Sequence, residues 1–161
     1  MVQRQAMDPT RSLLVAHAEP DAPDASRLLE SYFLELRERV APAPVDVVSV
    51  WPEDFRAPGG AVVLAWLDGS AVGCAGLRPL GKGVLELKHF FLAREARGRG
   101  LGRVFLAGVE EVARAQGARR IVLDTAAQLL EAAGLYRSAG YGEIPRYNDN
   151  PHAVAWFGRD L

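Results

Sequence analysis

Arg97-Gly98-Arg99-Gly100-Leu101-Gly102-Arg103 is the stretch that decides how this chain is read. It follows an apolar run from Leu85 to Leu92 and opens a helical pattern, so it sits where a strand hands over to a helix. Its glycines allow positive φ and close backbone approach. The first N–H groups of a helix have no internal partner and carry partial positive charge. A strand, a glycine-rich turn with three arginines and a helix start together form a site for a phosphorylated ligand. Arg94, Arg97, Arg99 and Arg103 fall within one short segment, a cluster that fits a small polyanion better than a long phosphate backbone. A solvated charged face is the plain alternative.

The totals narrow the class. With 161 residues, one domain with a substantial core is expected. A net charge of −1 gives no global basic surface for nucleic acid. Cys74 is the only cysteine, which excludes a disulfide framework and a multi-cysteine metal site. It lies in an apolar run beside Val72 and Ala75 and reads as a buried structural thiol. Met1 to Thr10 is polar and lacks the apolar stretch of a signal peptide, and no run reaches membrane-spanning length. The expectation is a cytoplasmic protein with no membrane partner.

Working outward from the glycine turn, residues 1–11 read as a loose tail and 12–161 as one domain. Ser12 to His17 is a strand pattern. Asp21 and Asp24 offer helix-start chemistry before Ala25, Leu28, Leu29, Tyr32, Phe33, Leu36 and Val40, which share one helical face. Ala41-Pro42-Ala43-Pro44 stops that helix. Val45 to Gly60 reads as a loop with one short helical turn. Ala61–Leu67 and Ala71–Leu77 are strands around an Asp68-Gly69 hairpin turn, Arg78 to Gly83 turns again, and Val84–Leu92 is a third strand. Leu101, Val104, Phe105, Gly108, Val109 and Val112 mark an amphipathic helix, with Arg103, Glu110, Glu111 and Arg114 outward and Gly117 at its end. Ile121–Leu123 is a short strand, Gln128 to Ser138 a helix ended by Gly140, and Tyr141–Ile144 and Val154–Phe157 closing strands. This order predicts an α/β fold, a mixed and mostly antiparallel sheet with helices on both faces.

Three glycine motifs compete for the turn. A dinucleotide fingerprint needs G-x-G-x-x-G, but Gly98, Gly100 and Gly102 give G-x-G-x-G with Arg at 103; Asp124 alone supplies the acidic residue expected downstream. A P-loop is nearly matched by Gly76 to Lys82, yet position 83 is Gly and a strand follows, so that stretch reads as a turn. The third pattern fits: Arg97-x-x-Gly100-x-Gly102 resembles the R/Q-x-x-G-x-G/A signature of the GNAT (general control non-repressible-related) N-acetyltransferase family. Downstream, Ala132, Leu135-Tyr136 and Gly140-Tyr141 resemble that family's A-x-x-L-Y…G-F/Y pattern. The order of elements fits from residue 12 to the end.

The resemblance implies an acetyl-CoA-dependent transferase acting on an amine by direct attack in a ternary complex, without metal. It places the CoA pyrophosphate on the backbone of Arg97, Gly98, Arg99, Gly100, Leu101, Gly102 and Arg103, with the arginines adding charge. In the family the preceding strand carries a β-bulge and splays from its neighbour, and pantetheine lies in the gap. Here that puts backbone groups of Phe90, Phe91 and Leu92 along the cofactor, with an N–H near Phe91 as an oxyanion donor. Tyr136 matches the tyrosine that protonates the CoA thiolate, and Glu86 matches a glutamate used as base. As a side chain, Glu86 has two readings: a carboxylate whose pKa is raised by burial between Leu85 and Leu87, or part of an exposed face with Lys88 and Phe90. His89, on the face opposite Glu86, is the alternative base or a structural histidine.

The family builds its acceptor pocket from the first helix, its following loop and the last strands. Trp51, Phe55, Tyr147 and Trp156 are candidates to line it, Glu53 and Asp54 to receive a cationic amine, and Arg146 or His152 a carboxylate. The acceptor is a small-molecule or peptide amine, and a homodimer is compatible with the family. One position departs: Leu129 stands where many members carry Asn, so a polar contact to the pantetheine arm is missing or comes from Gln128. That departure favours one rival, a catalytically silent acyl-CoA-binding sensor of the same fold. A nucleotide-binding module using the same turn is the other.

Overall fold

A computed structural model describes residues 13–161. The tail expected over 1–11 lies outside the described residues. The strands are β1 (Leu13–Ala18), β2 (Ala61–Leu67), β3 (Ser70–Gly81), β4 (Val84–Leu92), β5 (Arg120–Ala126), β6 (Gly142–Glu143) and β7 (Ala153–Asp160). The helices are α1 (Pro23–Arg39), α2 (Leu101–Ala115) and α3 (Leu130–Ser138), with 3₁₀ turns at Glu53–Phe55, Arg94–Ala96 and Ala127–Leu129.

The strands form one sheet in the order β1-β2-β3-β4-β5-β7-β6. All neighbours are antiparallel except β4 and β5. A parallel pair needs a crossover, and α2 supplies it. The hairpin at Asp68-Gly69 has φ of 49° and 83°, the paired positive values its turn requires. The expected turn over Arg78–Gly83 is shorter than that: β3 continues through Arg78 and Pro79, which face Glu86 and Leu85 of β4. Only Lys82 and Gly83 lie between the strands.

Helices cover both faces. Ala25, Leu28 and Leu29 of α1 pack with Trp51, Phe55, Val62, Leu64, Cys74 and Phe91 on one side. Leu101, Phe105, Leu106 and Val109 of α2, with Ala133 and Tyr136 of α3, pack on the other side against Val63, Ala75, Leu87 and Leu123. Two expectations need correction. Asp21 and Asp24 do not cap α1; the N-cap is Ala22, Pro23 opens the first turn, and Asp24 sits inside it. Glu110 does not face solvent. It is 4% exposed and accepts hydrogen bonds from Tyr141 Oη (3.1 Å) and Arg159 Nη1 (2.8 Å), which offset the cost of burying its charge.

Candidate active site

The site begins as a fault in the sheet. β4 and β5 pair over Val84–Glu86 and Arg120–Val122 only. From Leu87 to Leu92 the β5-facing edge of β4 has no strand beside it. The register of β4 against β3 also slips between Cys74 and Gly76, where Cys74 faces Phe91 and Gly76 faces Lys88. The extra residue is accommodated at His89, whose φ is +54°, a value that costs a non-glycine residue energy and marks a bulge. The expected bulge and splay are therefore present.

The bulge moves side chains. Simple alternation puts Phe90 with Glu86 and His89 opposite. Instead, Phe90 stacks on Phe105 of α2 at 4.9 Å, and His89 lies on the α1 face among Tyr32, Phe33, Trp51 and Phe55 at 5.1–5.9 Å. Burial there, with Lys88 and Arg78 adding to it, pushes the imidazole pKa down to about 4. His89 is thus a neutral packing group that holds the bulge. Trp51 and Phe55, expected at the acceptor pocket, are buried core beneath α1.

A cavity of about 520 Å³ opens on the uncovered edge of β4. Its walls include Tyr32 and Phe33 of α1, Leu87–Leu92 of β4, Asp124–Ala126 of β5, and Tyr136 of α3. Gly98, Gly100, Leu101 and Gly102 close one end. Gly98 and Gly100 have φ of 74° and 73°, so the turn requires glycine at both. Gly100 is the N-cap of α2, and no side chain caps the first-turn N–H groups. Gly102 differs: its φ is not positive, and an added Cβ would meet nothing nearer than Leu135 Cδ2 at 3.5 Å. The folded chain has room for a side chain there and does not use it.

The arginines divide. Arg99 and Arg103 are exposed and no ion pair with a described residue holds them. Arg97 is committed. Its Nη1 and Nη2 donate to the two carboxylate oxygens of Glu35 at 2.7 and 2.5 Å, and its Nε donates to Leu92 O at 2.7 Å. Its backbone N–H donates to Arg94 O, so its main-chain donor and three of its five guanidinium N–H groups are spent on the protein.

Tyr136 is 6% exposed, lines the cavity and packs edge-on to Phe90 and Tyr141. Its hydroxyl makes no hydrogen bond to a described residue. Burial pushes its pKa above the ordinary phenol value, so it stays protonated at neutral pH.

Glu86 is 1% exposed, and its carboxylate is fully engaged. Oε1 accepts from Arg78 Nε at 2.6 Å, and Oε2 from Tyr147 Oη at 2.6 Å and Asn148 Nδ2 at 3.3 Å. Glu86 and Lys88 do share a face, but the face is buried. Glu86 is not among the cavity's lining residues; Asp124, the next carboxylate, is. Asp124 accepts from Lys88 Nζ (3.0 Å), Asn148 Nδ2 (2.5 Å) and Asn150 Nδ2 (3.2 Å). Burial raises its pKa, but the hydrogen bonds from Asn148, Lys88 and Asn150 outweigh burial and hold it below the usual range. Asn148 thus bridges both carboxylates from the loop before β7. Of the other acceptor-pocket candidates, only His152 lines the cavity; Trp156 instead donates Nε1 to Asn148 Oδ1 at 2.9 Å, with Arg146 over its ring.

Sequence reasoning misses Glu35, Asn148 and Asn150 as site residues. Asn148-Asp149-Asn150-Pro151 signals a turn, but nothing local says that its amides reach β4 and β5. Glu35 is one more carboxylate on an exposed-looking helix face.

Residues 24–141 match the Acetyltransferase (GNAT) family. The chain belongs to that family. An uncharacterized N-acetyltransferase of Schizosaccharomyces pombe is 30% identical over 134 residues, which is 81% of this chain and 82% of that one. Among solved structures, an acetyltransferase from Streptococcus agalactiae superposes with a TM-score of 0.72 at 19% identity, covering 94% and 99% of the two chains. A GNAT family acetyltransferase from Elizabethkingia anophelis with acetyl-CoA bound superposes with a TM-score of 0.66 at 17% identity, covering 93% and 99%. The two solved structures share this mixed α/β fold. No helix among the described residues is long and apolar enough to cross a membrane.

Proposed function

We propose that this GNAT protein is an acetyl-CoA-dependent N-acetyltransferase that acts on a small-molecule or peptide amine while both substrates are bound. One observation carries the reading: an uncovered strand edge, an uncapped glycine-rich helix start and a tyrosine hydroxyl free of described partners all converge on one cavity. The acetyl-CoA bound to the Elizabethkingia relative supports it.

The turn of Gly98 to Arg103 and the first N–H groups of α2 receive the diphosphate, with Arg99 and Arg103 adding charge. Gly102 leaves space for close approach. The open edge of β4 over Phe90–Leu92 takes the pantetheine arm as it would take a strand, and a backbone N–H there polarises the thioester carbonyl. The thioester supplies the acetyl group that the amine attacks. Tyr136 delivers a proton to the departing sulfur. Asp124 is the proton-accepting carboxylate at the cavity wall, and Glu86, engaged by Arg78, Tyr147 and Asn148 and set off the cavity, positions it through Lys88 and Asn148.

Mass-detected acetyl transfer to pooled amines tests this. The wild-type chain is expected to give one class of acetylated product. Tyr136→Phe should lower kcat by about 100-fold, within the range for general acid catalysis, and leave acetyl-CoA affinity within about twofold. A loss smaller than threefold would remove Tyr136 from the acid role. The second reading, a silent acyl-CoA sensor, has Leu129 at the cavity wall in its favour. It predicts tight acetyl-CoA binding with no product from any amine.

A further inference from the structure

We propose that Glu35 is a positioning residue for acyl-CoA binding, acting through Arg97 to fix the phosphate turn; this rests on the assignment of that turn to the diphosphate. The observation is a carboxylate in the wrong place. Glu35 lines the cavity beside a turn that is to hold a polyanion, and its negative charge opposes such a ligand. Its partners explain its presence. Both of its oxygens are gripped by the guanidinium fork of Arg97, a paired geometry stronger and more directional than a single contact. The third bond of the same guanidinium reaches Leu92 O, and its Cζ lies 5.6 Å from the centroid of the Phe91 ring. Arg97, the residue before Gly98, therefore ties the turn to α1 and to the end of β4 at one point. On the other side, Arg39 Nη2 donates to Glu35 at 3.0 Å and Arg39 Nη1 reaches Glu131 of α3 at 3.3 Å. The chain Arg97–Glu35–Arg39–Glu131 runs along the cavity wall from the phosphate turn to α3. The family-signature arginine spends its side chain on the protein.

Two roles for Arg97 give effects of opposite sign. If Arg97 turns to the diphosphate when ligand binds, Glu35 only competes for it, and Glu35→Gln tightens acetyl-CoA binding. If Arg97 positions the turn, Glu35→Gln loosens the turn and weakens binding despite removing a negative charge. Calorimetry on the full chain should show acetyl-CoA affinity falling about tenfold in Glu35→Gln, a typical size for a coupled pair. Acetyl-pantetheine, which lacks the diphosphate and nucleotide, should change by less than about twofold, since the turn does not meet it. The double variant Glu35→Gln/Arg97→Gln should be no weaker than the worse single variant, because both remove the same contact. Glu35→Asp, which keeps the charge, should fall between wild type and Glu35→Gln and serves if the latter does not fold. Unchanged or tighter acetyl-CoA binding in Glu35→Gln, or losses that add in the double variant, would overturn the proposal and leave the function standing. A wild-type chain that binds acetyl-pantetheine as tightly as acetyl-CoA would overturn both.

Discussion

At the residue scale, the site is made of groups whose charge state the fold fixes. His89 is the clearest case. A neutral imidazole is packed against Tyr32, Phe33, Trp51 and Phe55, and protonating it there is unfavourable. Its folded pKa, about 4, lies below the ordinary histidine value, so the unfolded chain binds the proton first. Stability from this residue is complete above about pH 6.5 and is lost as pH falls toward about 4, by up to ~3 kcal/mol. Chemical denaturation at pH 7.5 and pH 5 should show wild type losing stability relative to His89→Phe at the lower pH. An unchanged difference would mean that the imidazole is not buried neutral. Tyr136 is held in the opposite sense, since burial keeps its proton on, as a donor to a leaving group requires.

At the element scale, the strand pattern of β4 was readable from its composition, while its bulge was expected only from the family resemblance and its position at His89 was not. Val84–Leu92 announces a strand by composition, and the glycine turn after it announces a helix start. The slip at His89 depends on Cys74–Gly76 of β3, which no local periodicity in β4 records. Every side-chain direction after Lys88 then differs from simple alternation. Burial of Glu110 was equally hidden, because its partners Tyr141 and Arg159 lie far along the chain and meet it only through the sheet. Glycines in α2 show the difference between geometry and space. At Gly108 an added Cβ would stand 2.5 Å from Val15 Cγ1 and 2.6 Å from Val15 Cβ, and β-branched valine cannot swing aside. Gly108→Ala should therefore destabilise by about 1–2 kcal/mol in urea melts, overpacking outweighing the gain in helix propensity. Combining it with Val15→Ala should recover part of that loss. A stabilised Gly108→Ala variant would contradict the close approach of α2 to β1.

At the scale of the whole molecule, the sheet is two antiparallel halves joined by one short parallel seam, and the cavity is what opens past the end of that seam. β1–β4 form one half and β5–β7 the other. Lys88 and Asn148 tie the halves together again through Glu86 and Asp124. The fold class was legible because turn signals and helical faces alternate cleanly along the chain. The cluster of Glu86, Asp124 and Asn148 was not, since β4, β5 and a loop near the end meet there only through tertiary packing. Under the proposed function, the cavity between the two halves is the cradle of the acetyl donor, and Gly102 lies at its phosphate end. A Cβ there fits the folded chain, so Gly102→Ala should leave the protein folded and stabilise it by about 0.5 kcal/mol. The same methyl group would stand where a diphosphate approaches α2. The decisive measurement is calorimetric titration of acetyl-CoA into wild type and Gly102→Ala, with melting curves on the same samples. The account predicts one-to-one binding to wild type and affinity about tenfold weaker in a variant that melts no lower, a penalty of the order of one poor contact. Equal affinity in the two proteins, or no acetyl-CoA binding to wild type, would contradict it.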